Sequence, residues 1–555
     1  MNDVQDYHGI ARQKYSQCWK ALKELTICKF NAIAECLDLI AEYVSFVSMH
    51  SLLTDVSTES VYELILIAKY LSAQYHGDYL DNPENTALGR EIAALESRLY
   101  YRKCYDENKK SELAKLIQDK YRYCRKFSER GKPVSIPTLS TISIPEKSAI
   151  IDFYIFYEVI NESTIQDQEI SVKIAVHLLI PDANGNEKRV LRLPDIDAIQ
   201  LEEMWNELFF NIDETTSDDY IEDKAESIYM QMFAEAEKHI DGYSTLYISP
   251  DSFLFDYPMD CLVACERERN FFNRTVVYIQ SALDAVPDYF ISLKKPLIIG
   301  DPTFYVDSDS RREKKHTVFT PIPHARIESR IISSMLKTSL HASTEASKTV
   351  LLENLDSSLI HIASHGSVIE DGCLTLTATE GVSYRRYVPL SGSAIFLAGY
   401  NDWQVERKQK NLGSGLLTAQ EVSFWNLSST DLVVLSVCMG GQGVDENSRG
   451  LRWAFTYAGA KAVVSCLPCV NDCSTAIFMV IFYRNLMSFP IARAFTETKN
   501  TCYNLSLNEI LADRELSAIY HCSSKGIATT NEPIYPLCDD GTCLSISLFF
   551  NGGRI

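Results

Sequence analysis

Several things this sequence lacks narrow its function before any motif is considered. No apolar run approaches the roughly 18 residues of a membrane span; the stretch 476–483 is too short. No charged-then-apolar leader opens the sequence, so its 16 cysteines, scattered along a long chain, are expected as reduced thiols in the cytoplasm. Basic residues are in deficit: 53 Lys and Arg against 74 Asp and Glu give a formal net charge of −21. Gripping nucleic-acid phosphate takes clustered cations, so neither direct nucleic-acid binding nor a membrane is expected. A four-ligand zinc spacing is missing too. Cys466, Cys469 and Cys473 have no close histidine and Cys538 and Cys543 stand apart, so no metal or other cofactor is expected.

What is present is ordinary globular material, with 46% hydrophobic and 23% charged residues over 555 positions. That length exceeds a single core, and two to four domains are the natural expectation. Acidic residues crowd around Asp213, Glu214, Asp218, Asp219, Glu222 and Asp223, a pattern that reads as a solvated helix face and loop.

From Val4 to about Phe127 apolar residues recur at helical spacing, as in Tyr15, Cys18, Leu22 and Leu25 and in Phe30, Ile33, Leu37, Ile40 and Val44. About five helices are expected, broken at Asn82-Pro83-Glu84-Asn85. A tetratricopeptide-type repeat is the minority reading, because no period near 34 residues shows. Gly131-Lys132-Pro133 marks a linker, after which 149–160, 170–180 and 189–193 read as strands with a turn at Asn184-Gly185-Asn186. Further strands at 244–251 and 296–302 and a helix from near His324, with Ile327, Ile331, Ile332 and Leu336, lead into alternating strands and helices. Such alternation means a mainly parallel sheet.

Two apolar runs carry the chemistry. Leu359-Ile360-His361-Ile362-Ala363-Ser364-His365-Gly366 and Asp431-Leu432-Val433-Val434-Leu435-Ser436-Val437-Cys438-Met439-Gly440-Gly441 each end on a reactive side chain followed by glycine. Parallel strands ending side by side would set the His365 imidazole near the Cys438 thiol at the carboxyl edge of the sheet. A thiol attacks a carbonyl as thiolate, so a neighbouring imidazole is the group it needs. Backbone amides of Gly366 and Cys438 are candidate oxyanion donors. Taken singly, a His or Cys at a strand end is more often a core residue; the pair is the informative feature. His361, on the His365 side of its strand, is expected as a packed neighbour of the dyad, with a supporting hydrogen bond open to it. The long connection 368–430, with Arg385-Arg386 and Lys408-Gln409-Lys410, is either a lid or specificity element or a surface hairpin.

These motifs, with Gly-Leu-Arg-Trp-Ala-Phe-Thr-Tyr-Ala-Gly-Ala at 450–460, Leu-Tyr-Ile-Ser-Pro-Asp at 246–251 and Gly-Asp-Pro at 300–302, resemble the CHAT domain, a family of caspase-like and separase-like cysteine peptidases. The match runs from about Ala149 to the C-terminus and is most specific between His361 and Asp472. The resemblance implies a caspase-like α/β fold in two halves beside an N-terminal all-α bundle or degenerate helical repeat. It divides the chain into a helical partner-binding or regulatory domain (1–135), an accessory protease-like half (136–290) and an active half with the dyad (291–555). It implies a thiol endopeptidase with His365 as base and Cys438 as nucleophile. Its substrates would be specific proteins, and a regulatory protein partner would bind the helical domain. Bacterial (including antiviral) defence or cell death is the setting it suggests. Asp472 resembles the place where separases carry an acidic residue facing a basic P1 side chain, although an ordinary helix N-cap is the rival reading. The chain departs from the family at Val437 and Met439-Gly440-Gly441, and Ser252 replaces a common glycine. A non-enzymatic caspase-like scaffold, or another thiol hydrolase or acyltransferase on a similar sheet, is the alternative.

Overall fold

The computed structural model describes residues 7–24, 30–49, 56–74, 89–96, 110, 112–117, 136–159, 170–182, 188–210, 218–260, 262, 274–305, 319–368, 373–377, 383–387, 389–404, 414–438, 450–466, 472–522 and 546–550. The expected break at 82–85, the linker glycine and proline at 131–133 and the turn at 184–186 lie outside them.

One sheet of eleven strands runs through the described residues. The chain first lays down β1 (Ser148–Val159), β2 (Ile170–Pro181), β3 (Lys188–Asp197), β4 (Thr245–Ser249) and β5 (Thr275–Ile279). It continues with β6 (Pro296–Pro302), β7 (Leu340–Ser343) and β8 (Leu359–Ala363). There it leaves the sheet for β9 (His365–Val368), β10 (Cys373–Thr377), β11 (Ser383–Tyr387), β12 (Ser393–Phe396) and β13 (Leu416–Thr418). Return comes with β14 (Leu432–Ser436), β15 (Ala462–Cys466) and finally β16 (Ile546–Phe550). The spatial order is β3-β2-β1-β4-β5-β16-β15-β14-β8-β6-β7.

Strand direction divides this sheet in two. β1, β4, β5 and β16 run parallel to one another, and β15, β14, β8, β6 and β7 form a second parallel block. β16 and β15 meet antiparallel, so the blocks point opposite ways and their carboxyl edges lie on opposite sides. In the second block every residue of β8, β14 and β15 is buried. Parallel strands covered on both faces need such unbroken apolar runs.

One long core lines one face. It joins Cys18, Leu22, Ile40 and Ile65 to Ile150 and Leu179 of the first block, and runs on to Val434, Val464 and Phe478 of the second. The N-terminal helices α1 (Tyr7–Glu24), α2 (Phe30–Met49) and α3 (Thr58–Gln74) therefore bury their apolar stripes on the sheet as well as on each other. In α3 residues 61–62 and 64–68 are all buried, the pattern of a helix packed on every side. The opposite face carries separate cores, one under helices Ala198–Phe210 and Asp218–Met232, the other under Leu451–Tyr457. The sequence's α/β expectation, a mainly parallel sheet flanked by helices beside a helical N-terminal region, is what the chain adopts.

Helical residues 89–96 reach the other end of the molecule. Arg90 donates to the Phe424 carbonyl at 3.2 Å, and Ser391 Oγ donates to the buried Glu96 carboxylate at 3.4 Å. A second tie crosses between the blocks: the buried Arg452 guanidinium lies 4.6 Å from the Phe255 ring centroid. Burial lowers that guanidinium to about 10, against the pull of Asp256.

Candidate active site

β8 and β14 are neighbours, and their register sets the site. Leu359 pairs with Leu432 and Ala363 with Ser436, an offset of 73 residues. His365 and Cys438 are separated by that same offset, each two residues beyond the end of its strand. The Ser364 amide still donates to the Ser436 carbonyl at 3.3 Å, which holds the strands together up to the last step.

The chain then bends. His365 does not end β8 but opens β9, which joins β12 and β13 in a separate three-stranded sheet, with His365 opposite Phe396. Part of the 368–430 connection is thus neither a detached lid nor a surface hairpin, because its strand β12 fixes the backbone of His365. The described hairpin β10–β11 stands apart from that sheet.

An aromatic wall orients the imidazole. Ring centroids of Phe319 and Phe304 lie 5.0 and 5.4 Å from that of His365, with Phe396 stacked on Phe319 at 4.2 Å. His365 Nε2 sits 2.9 Å from the Thr320 carbonyl oxygen. A carbonyl can only accept, so Nε2 carries the proton and, in the neutral ring, Nδ1 keeps its lone pair for another donor.

Gly366 shows how closely the strand ends meet. A Cβ there would overlap the Cys438 carbonyl oxygen and press on the Val437 side chain at 3.3 Å. The glycine expected to ease backbone approach therefore eases the approach of Cys438 itself. Gly440 and Gly441 lie outside the described residues.

Cys438 is half-buried, whereas Cys466, at the end of neighbouring β15, is fully buried. Burial drives the Cys466 thiol well above its ordinary value, and the adjacent Cys438 adds to the effect. Cys466 is held as an unreactive thiol beside an accessible one. Cys473 is half-buried, and Cys469, Cys538 and Cys543 fall outside the described residues.

His365 and Cys438 line one pocket with Ile322, Ala325, Glu328, Ser364, Ser436, Val437, Asp472 and Thr475. Asp472 is the first residue of helix Asp472–Leu486, and its side chain is exposed. His324 stands nearby; burial lowers its pKa, while Asp472 and Glu328 pull the other way. Sequence reading missed Glu328, which takes a core position on helix Pro323–Leu336. The buried residues of that helix are Ala325, Glu328, Ser329, Ile332 and Ser333. Their spacing is a regular helical stripe, but three polar members hid it behind Ile327, Ile331 and Leu336. His361 also proves fully buried, its Nε2 3.3 Å from Glu328 and its ring edge-on to Tyr483 at 5.5 Å.

Residues 222–531, more than half of the chain, match the family model of the CHAT domain. The chain belongs to the CHAT domain family. No curated protein matches the sequence. Two crystal structures of the Saccharomyces cerevisiae separase–securin complex resemble the chain path, with TM-scores of 0.44 and 0.38, each at 9% sequence identity. Each covers 98% of this chain, which spans 40% of the length of the separase chain. Within the CHAT match, Ser252 takes a left-handed backbone (φ 47°) at the turn after β4. That conformation ordinarily favours glycine, and here Ser252 adopts it. Among the described residues, no helix is long and apolar enough to cross a membrane.

Proposed function

We propose that this CHAT domain is a cysteine endopeptidase in which Cys438 is the nucleophile and His365 its base. The observation that carries the reading is the shared pocket: thiol and imidazole line it together, with Nε2 committed to the Thr320 carbonyl and Nδ1 left to take a proton. In the forward step the Cys438 proton passes to His365 and the thiolate adds to the scissile carbonyl. The imidazolium then protonates the leaving amine, and water, activated by the same ring, cleaves the thioester. The amides of Gly366 and Cys438 are our candidates for the oxyanion site. Asp472, exposed at the pocket, favours a cationic P1 residue. Residues 1–135 are taken as the regulatory, partner-binding part and 136–290 as the accessory half. A scaffold without catalysis has no use for a half-buried thiol that shares a pocket with a tautomer-fixed imidazole.

The test is cleavage. Protein mixtures treated with the wild type are expected to yield new N-termini that Cys438→Ala does not produce, with and without a partner that binds the helical region. Acyl transfer without new N-termini would replace the peptidase reading with that of a thiol acyltransferase.

A further inference from the structure

Beneath the dyad a carboxylate and an imidazole face each other in the core, and the proposed chemistry uses neither. His361 pairs with Val434 and Ala363 with Ser436 across β8 and β14. Strand alternation turns all four to the face covered by helices Pro323–Leu336 and Asp472–Leu486. Glu328 descends from the first of these helices with a side chain 2% exposed. Its Oε2 accepts from Ser436 Oγ at 3.1 Å, while its Oε1 accepts no hydrogen bond and lies 3.3 Å from Nε2 of the fully buried His361. Neither ring nitrogen of His361 has a hydrogen-bond partner elsewhere. Tyr483, edge-on to His361 at 5.5 Å, and Cys466 at the end of β15 complete the surroundings; burial, with Glu328 adding to it, holds both well above their ordinary values. His324 and Asp472 stand further out, and no lysine or arginine lines the pocket that Glu328 borders. A buried carboxylate needs a cation or a proton of its own, and His361 is the neighbour in reach to supply either.

We propose that His361 and Glu328 are positioning residues of the dyad, holding one proton between them as a charge-neutral buried pair that ties the end of β14 to β8. This rests on the reading of His365 and Cys438 as a working pair. The tie runs from His361, four residues before His365, through Glu328 to Ser436, two residues before Cys438. It acts from below, where the strands are still paired, on the two residues that leave them. Neutrality matters as much as alignment. A carboxylate without its imidazole would oppose the Cys438 thiolate, because like charges disfavour ionisation. Apolar residues of similar volume would fill the same space at little cost in stability, so packing alone does not call for the pair.

The test reads the thiol itself, as the rate at which iodoacetamide alkylates Cys438 from about pH 5.5 to about pH 9, mapped by mass spectrometry. In His361→Gln the carboxylate loses its partner and the strand ends lose their alignment. Both raise the thiol's pKa, so the inflection should move up by about one unit or more and the rate near neutral pH should fall about 10-fold. In the double variant His361→Gln with Glu328→Gln, two neutral amides can bond to each other and to Ser436. Its profile should return to within about threefold of the wild type. A merely structural role would lower the melting temperature and leave the pH profile in place. A wild-type profile in His361→Gln overturns the proposal, and so does a double variant as impaired as the single one. If His361→Gln does not fold, Ser436→Ala decides, since it cuts Glu328 from β14: a fall of about 10-fold supports the tie and an unchanged profile overturns it. His365→Ala keeps the two readings apart. A profile indifferent to His365 sinks the dyad and the pair with it; one that depends on His365 but not on His361 sinks the pair and leaves the peptidase standing.

Discussion

The two blocks of the sheet treat their carboxyl edges in opposite ways. In the first block, the end of β4 is plugged. Lys69, reaching in from α3, donates to the Ser249 carbonyl, the Ser249 hydroxyl and the Pro250 carbonyl at 3.1, 2.7 and 3.0 Å and pairs with Asp152 at 2.5 Å. Tyr62 closes the cluster by donating to Asp152 at 2.7 Å, and two positions beyond β4 the Asp251 carboxylate accepts from the Ile155 amide at 2.7 Å. In the second block the matching position, two beyond β14, is Cys438, and it lines a pocket. A filled edge makes a mount for the helical region. The edge left open gathers a half-buried thiol and a fixed imidazole in one pocket.

The difference can be broken from either side. The largest effect is expected at the open edge, where Cys438→Ala or His365→Ala should lower peptide cleavage by about 10⁴-fold or more. Equal circular dichroism and melting behaviour would show that the fold is kept. At the plugged edge, Lys69→Met leaves Asp152 charged and buried without its partner, which should cost about 3–5 kcal/mol in urea unfolding. The double variant Lys69→Met with Asp152→Leu should recover most of it; if the single variant is neutral, the plug holds nothing. Gly366→Ala, read in the same cleavage assay, should lower activity by about 10- to 100-fold, because the added methyl must push the Cys438 carbonyl away. A fully active variant would mean that the strand ends need not touch.

The smallest expected effect is a pH dependence at the plugged edge. His177 is fully buried, its ring 5.1 Å from that of Tyr62 and its Nε2 3.4 Å from Arg192. Burial, with Arg192 and Lys69 adding to it, holds its pKa well below the ordinary imidazole value. Unfolding returns His177 to about 6.5, so the unfolded chain binds the proton that the folded chain refuses. Stability is therefore full above about pH 6.5 and declines as pH falls below it. His177→Gln should flatten that decline in thermal melts taken between pH 7 and 5.5; an unchanged slope would assign it to other groups.

Much of this was legible in the sequence because it rests on periodicity and on strand ends. The largely apolar runs 359–363 and 432–436 located β8 and β14, and the residues beyond them became pocket neighbours. Four features were not legible, each depending on contacts between distant segments. Thr320 meets His365 through a backbone carbonyl, to which any residue contributes equally. Glu328 is a polar residue at a core position of a helix whose isoleucines drew attention to another face. The bend at Ser364, which passes His365 to a second sheet, follows from pairing with β12, where His365 meets Phe396, 31 residues beyond. Lys69 carries no signal in the sequence, and only the fold gives it four acceptors.

The central claim is that the open edge holds a working thiol–imidazole pair, and site-mapped labelling tests it most directly. A peptidyl electrophile applied to the folded protein, followed by mass spectrometry of every cysteine peptide, is expected to modify Cys438 and to spare buried Cys466 and Cys502. That labelling should be lost in His365→Ala. Labelling of Cys438 that is equally fast without His365, or none at all in the presence of a partner for the helical region, would contradict the account.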